Sequence, residues 1–106
     1  MYQLCFYVPE THLEAVKAAL FAVGAGQLHG YDQCCWQSVG EGQFRPLPGS
    51  RPYLGESLRL EKVVEYKVEM ICRAEVVKAA LVALRASHPY ETPAYRVYPI
   101  QTLDDF

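Results

Sequence analysis

An α+β fold, one antiparallel sheet with two helices on one of its faces, is predicted by two observations. The seven residues Glu14-Ala15-Val16-Lys17-Ala18-Ala19-Leu20 recur as Glu75-Val76-Val77-Lys78-Ala79-Ala80-Leu81 with one position changed, so the chain contains two copies of one helical unit. Each copy lies between strand-like runs, which gives the order β-α-β, an irregular excursion, then β-α-β. The economical way to return each crossover to the same sheet is the split βαβ, ferredoxin-like two-layer sandwich.

The elements follow in chain order. Tyr2 to Val8 is rich in aromatic and β-branched residues and stops at Pro9, which predicts a mostly buried strand. Thr11-His12-Leu13-Glu14 has capping-box spacing, so a helix is expected to start there. Leu13, Val16, Leu20 and Val23 make its apolar stripe, and Gly24 can take the left-handed conformation that ends it. Gln33 to Val39 reads as the second strand, Gly40-Glu41-Gly42 as a turn, and Gln43-Phe44-Arg45 as a short extended piece. Three prolines and two glycines between Pro46 and Gly55 predict an irregular loop, ordered by burial of Leu47, Tyr53 and Leu54. Val64 to Met70 alternates strictly, placing Val64, Tyr66, Val68 and Met70 on one face and Glu65, Lys67 and Glu69 on the other. In the second helix Val77, Leu81 and Leu84 repeat the register of the first, so equivalent stripes are expected to be buried. Truncating Leu20 or Leu81 to Ala is expected to cost roughly 2–5 kcal/mol. That helix should end near Ser87, and Ala94 to Ile100 supplies the last strand. If Leu4, Phe6 and Val8 face the helices, Cys5 and Tyr7 point to the uncovered face, whose apolar exposure favours self-association.

At 106 residues and 51% apolar, residues 1–106 form one domain with an irregular insertion at about 40–60, large enough for a core without staples. A net charge of −2 with no Lys or Arg run argues against nucleic acid and anionic membrane as partners. The first residues read as a strand rather than a leader, and no apolar stretch is long enough to span a bilayer. Four cysteines, two of them adjacent, suit free thiols in a reducing compartment, so a cytoplasmic location is expected.

Three segments carry candidate chemistry. Gly24-Ala25-Gly26 with Gly30 lacks dinucleotide-fingerprint spacing and ends a helix rather than opening one, so it is read as a helix stop. His29, Tyr31, Asp32, Cys34 and Cys35 include metal-ligand types without closed-zinc spacing; Cys34 is the better thiol candidate, with His29 or His88 brought near by the fold. His88-Pro89-Tyr90-Glu91-Thr92-Pro93 holds an imidazole, a phenol and a carboxylate in a short loop stiffened by two prolines, a layout that suits either a ligand or a tied-down crossover. No nucleophilic triad, phosphate loop or His-Glu-x-x-His helix is present, so the chain is not expected to be an enzyme by itself.

Gly24-Ala25-Gly26, Gly30-Tyr31-Asp32-x-Cys34, Gly42-x-Phe44-Arg45-Pro46-Leu47-x-Gly49, Pro52-Tyr53-Leu54-Gly55, and His88-Pro89-Tyr90-Glu91 with Ala94-Tyr95 and Tyr98-Pro99 together resemble the domain inserted in the YqfO branch of the YqfO/YbgI dinuclear-metal proteins, here as a stand-alone chain. That inserted domain is similar to CutA and the PII signalling proteins, and the His88 loop looks like the corresponding CutA loop. The resemblance implies a CutA/PII-like fold and a homo-oligomer, a trimer ahead of a dimer. It also implies that the parent family's two-metal site lies in a flanking domain, whose ligands nothing in this chain supplies.

The expected function is therefore a non-catalytic, homo-oligomeric binding or regulatory module with a small ligand or metal ion in a cleft between subunits. The candidate ligand-binding residues are Arg45, Tyr90, His88, Glu91 and Tyr31, and the candidate metal ligands are His88, Glu91, Cys34 and His29. No cofactor is required, and a divalent metal is the one these residue types could take. The alternative is a metal-dependent enzyme or accessory subunit whose site is completed by another subunit or by a partner chain such as a YqfO/YbgI-type metal-site protein.

Overall fold

A computed structural model describes residues 1–106. Four strands, β1 (Tyr2–Pro9), β2 (Trp36–Phe44), β3 (Glu61–Cys72) and β4 (Tyr95–Pro99), form one antiparallel sheet in the order β2-β3-β1-β4. Two helices, α1 (Leu13–Ala22) and α2 (Val77–Ser87), provide the crossovers. The fold is the expected α+β ferredoxin-like sandwich. Leu4, Phe6 and Val8 of β1 pair with Met70, Val68 and Tyr66 of β3, and cross-strand partners share a face, so these side chains form the sheet's half of the core. Leu13, Val16 and Leu20 of α1 and Ala80 and Leu84 of α2 close it from above.

Helix α1 starts differently from its sequence signature. Glu10–His12 forms a short 3-10 turn and His12 takes the N-cap position without a side-chain cap bond. The Thr11 hydroxyl instead meets His12 Nδ1 at 2.9 Å, and Glu14 pairs with Lys17 at 3.1 Å, so neither capping-box group reaches the backbone. The helix end is as expected. Gly24 adopts φ +103°, its N–H donates to Phe21 O, and Ala25 N–H donates to Leu20 O, which is a Schellman stop. Gly26 N–H then donates to Ile71 O, which pins the chain to β3.

The two copies of the repeat do not bury equivalent stripes. Leu20 is fully buried, whereas its counterpart Leu81 is half-buried, as is Val77 opposite the fully buried Val16. In α2 the small Ala80 sits at the centre of the contact, with Leu84 one turn on. Val23, expected in the first stripe, lies beyond the helix and is exposed.

Strand β2 corrects the sequence reading most. It begins at Trp36, leaving Cys34 and Cys35 in the preceding loop, and runs straight through Gly40 and Gly42, which pair with Glu65 and Val63. No turn forms there. Gly42 serves packing rather than turning, since a Cβ at this position would collide with the Glu65 carboxylate. The irregular stretch therefore starts at residue 45 rather than 40. Its fixed point is the buried Pro46, whose carbonyl accepts from Leu58 N–H at 2.7 Å, while Leu47 and Tyr53, expected to be buried, are more than half exposed and Leu54 is only partly covered.

The paired ends of β2 and β3 extend past the helices as an arm. A chain of this length packs to a radius of gyration of about 13 Å, against 15.0 Å here, with a long axis of 49 Å. On the sheet face away from the helices, Cys5 is buried rather than exposed, because its strand partners are Glu69 and Arg96 and Lys67 lies close by. Burial pushes the Cys5 thiol pKa up. No helix is long and apolar enough to cross a membrane.

Candidate functional site

The chain of contacts that builds the site starts at the end of α2. His88 follows the last helical residue in extended conformation and is buried. Its Nδ1 accepts the Tyr90 N–H at 3.1 Å, so the neutral ring carries its proton on Nε2, which donates to Tyr7 O at 2.7 Å. Burial lowers the His88 pKa below the ordinary imidazole value, keeping the neutral form that this bridge requires. The bridge ties the 88–94 loop to β1, and the Tyr7 N–H donates to Ala94 O at 3.2 Å to close the other side.

Tyr90 is thereby held over the end of the sheet. Its ring lies 4.8 Å from His88, 6.2 Å from Tyr53 and 6.4 Å from Phe44, centroid to centroid. Together with Tyr7, Pro46, Leu54 and Glu65, the Tyr90, Tyr53 and Phe44 rings bound a cleft of about 260 Å³ between the 45–60 loop and the 88–94 loop. Glu91 stands at its rim, where Oε2 accepts the Arg51 N–H at 3.2 Å and joins the two loops. The Tyr90 hydroxyl is buried in this site without a hydrogen-bond partner. Burial, and then the nearby Glu65 carboxylate, raise its pKa well above the ordinary phenol range.

The candidate residues divide into two groups. Tyr90 and Glu91 line the cleft and His88 braces it from below. Arg45 is exposed just past β2 and is not among the lining residues. Tyr31, His29 and Cys34 belong to the 27–35 loop, which is anchored near Ile71, whereas the cleft abuts Glu65. Six residues of strand separate these points, roughly 20 Å at about 3.3 Å per residue. Tyr31 is 76% exposed, His29 sits at φ +52° in the tight turn closed by the Leu28–Tyr31 bridge, and Cys34 Sγ makes a long contact of 3.6 Å to Asp32 O.

The expected metal ligands therefore do not converge. No three His, Cys, Asp or Glu side chains of the chain come together to hold an ion, and both His88 nitrogens are already engaged. The donor set does not fit a divalent metal. Conversely, the sequence reading missed Tyr7, Phe44, Tyr53 and Glu65 as lining residues. The alternation that put Glu65 on the far face was the available signal, since Tyr7 shares that face two strand positions away.

No family model matches the chain. The GTP cyclohydrolase 1 type 2 homolog of Bacillus subtilis is 42% identical over 99 residues, which is 93% of this chain and 26% of that relative. The chain thus spans about a quarter of the length of the curated relatives it matches. Among solved structures, a Bacillus cereus protein related to NIF3 superposes with a TM-score of 0.82 and 36% identity, covering 95% of this chain and 26% of that one. The periplasmic divalent cation tolerance protein CutA from Archaeoglobus fulgidus superposes with a TM-score of 0.68 at 18% identity, covering 96% and 86%. The likeness to a segment of the longer proteins and the CutA/PII-like fold agree with the resemblance drawn from the sequence motifs.

Proposed function

We propose that this CutA-like, PII-like domain is a non-catalytic, homo-oligomeric binding module, a trimer ahead of a dimer, whose ligand occupies the cleft between the 45–60 and 88–94 loops. The observation that carries the reading is the uncovered arm beside that cleft. Val39 and Val64, on the helix-side face of β2 and β3, are 63% and 57% exposed because neither helix reaches them, and Leu58 and Leu60 continue the apolar surface. Apolar exposure of this extent on a small domain is what a neighbouring subunit covers. The cleft takes Phe44 and Glu65 from the opposite face of the same two strands and, at about 260 Å³, is slightly below the usual volume range for ligand sites of about 300–1,000 Å³, which suits a site completed by a subunit that wraps around the arm.

Sedimentation velocity on the chain and on the Val39→Glu/Val64→Glu variant tests this. The unaltered chain should sediment as an oligomer at micromolar concentration and the variant as a folded monomer. Equal sedimentation of the two would remove the arm from the account.

A second reading, an accessory unit for a metal-site protein, is supported by the match of this chain to about a quarter of the length of its relatives. Co-elution of the purified chain with the remainder of such a relative would favour it, and separate elution would count against it.

A further inference from the structure

The cleft has one sign of charge and aromatic walls. Glu65 and Glu91 supply two carboxylates, and the lining contains no Lys, Arg or His. An anionic ligand would meet both carboxylates with no counter-charge. A hard divalent ion would need six or more oxygens in a close shell, which this lining does not provide. What remains is suited to a cation that carries its own apolar body. Tyr7, Phe44, Tyr53 and Tyr90 are among the lining residues, and the Tyr90 ring is tilted by 50° to Phe44 and 46° to Tyr53, so these three rings are inclined to one another rather than stacked. Ring faces attract ammonium groups by about 0.5–2 kcal/mol each, most strongly where water is excluded.

We infer that the cleft takes a small organic cation, an ammonium or quaternary ammonium group on a short apolar or aromatic body. The inference rests on the binding reading above and assigns it a ligand class. The cationic head lies between the Glu65 and Glu91 carboxylates and the rings.

Two-dimensional amide NMR on the full chain with three probes of matched shape provides the test: benzyltrimethylammonium, benzyl alcohol and benzoate. The cation should shift the Phe44, Glu65, Tyr90 and Glu91 amides saturably, with little effect from the other two. Glu91→Gln keeps an oxygen able to accept the Arg51 N–H while removing the charge, and it should weaken cation binding by roughly three- to tenfold, as should Glu65→Gln. Because Glu91 is exposed, its variant keeps the test usable even if the Glu65 change disturbs β3. Equal or stronger shifts from benzoate or benzyl alcohol, or cation binding indifferent to both variants, would overturn the cation class while leaving a binding cleft. No cleft shift from any probe at millimolar concentration would overturn the inference and the binding reading together.

Discussion

The Nε2–H of His88 donates to the carbonyl oxygen of Tyr7 across 81 positions of sequence, at 2.7 Å. This bond, with the Tyr90 N–H on the other ring nitrogen, makes the imidazole a spacer of fixed length between β1 and the loop that carries the candidate site.

The spacer works only when neutral, which sets a pH dependence. The His88 pKa is lowered in the folded chain, by burial first, while the Tyr7 carbonyl and Glu65 oppose the shift. The unfolded chain therefore takes up the proton first as pH falls. The stabilisation from His88 is complete above the unfolded imidazole value of about 6.5 and declines below it until the folded pKa is reached. Urea unfolding midpoints should fall on acidification through that window in the unaltered chain. His88→Gln should flatten this dependence, and His88→Ala should cost about 1–3 kcal/mol at pH 8 by removing the partner of two part-buried backbone groups. An unchanged pH profile in His88→Gln would show that the ring is not the titrating element.

The unequal burial of the repeated leucines predicts unequal costs. Leu20→Ala should destabilise by about 2–5 kcal/mol and Leu81→Ala by less, about 1–3 kcal/mol, because Leu81 is only partly buried whereas Leu20 is fully buried. Denaturant titration of the two variants gives the comparison. Equal losses would mean that α2 packs in the register of α1 after all.

Gly26 and Gly42 separate a backbone constraint from a side-chain one. At Gly26, φ is +75° and an added Cβ would lie 2.7 Å from the Cys34 carbonyl oxygen and 2.9 Å from the Phe21 ring, so Gly26→Ala should cost about 2 kcal/mol or more. At Gly42 the obstacle is only the flexible Glu65 side chain. Gly42→Ala should fold with near-normal stability but turn Glu65 aside, which NMR would report as moved resonances at Glu65 and Tyr90. A severe loss of stability in Gly42→Ala would show that Glu65 has nowhere else to go.

The Tyr90 hydroxyl discriminates between two accounts of its surroundings. The geometry gives it no hydrogen-bond partner, although the Glu65 carboxylate is near enough to raise its pKa. Tyr90→Phe should therefore leave stability within about 0.5 kcal/mol of the parent, or raise it. A loss above about 1 kcal/mol would mean that the phenol and Glu65 share a formed bond.

The repeat made the frame legible because two helical copies between strands admit few topologies, and the order β2-β3-β1-β4 is that of a split βαβ sheet. Local chemistry was less legible where a tertiary neighbour decided the outcome. Gly40-Glu41-Gly42 carries a turn signature, yet the Glu65 side chain claims the space over Gly42 and the strand runs on. Thr11 and Glu14 have capping-box spacing, yet His12 and Lys17 engage them first. The His88 loop stood out by its prolines and polar groups, but its division of labour did not. Which of its residues would be buried as a brace and which would face the cleft depends on Tyr7 and Phe44, strand residues far away in sequence whose roles no local pattern records.

The central claim, that one chain is only part of the working unit, is tested most directly by the mass of the unaltered protein in solution. Gel filtration with light scattering at about 10 μM should give three times the 12.0 kDa chain mass. A mass of 12.0 kDa at that concentration would contradict the claim, since the exposed arm would then have no subunit to cover it.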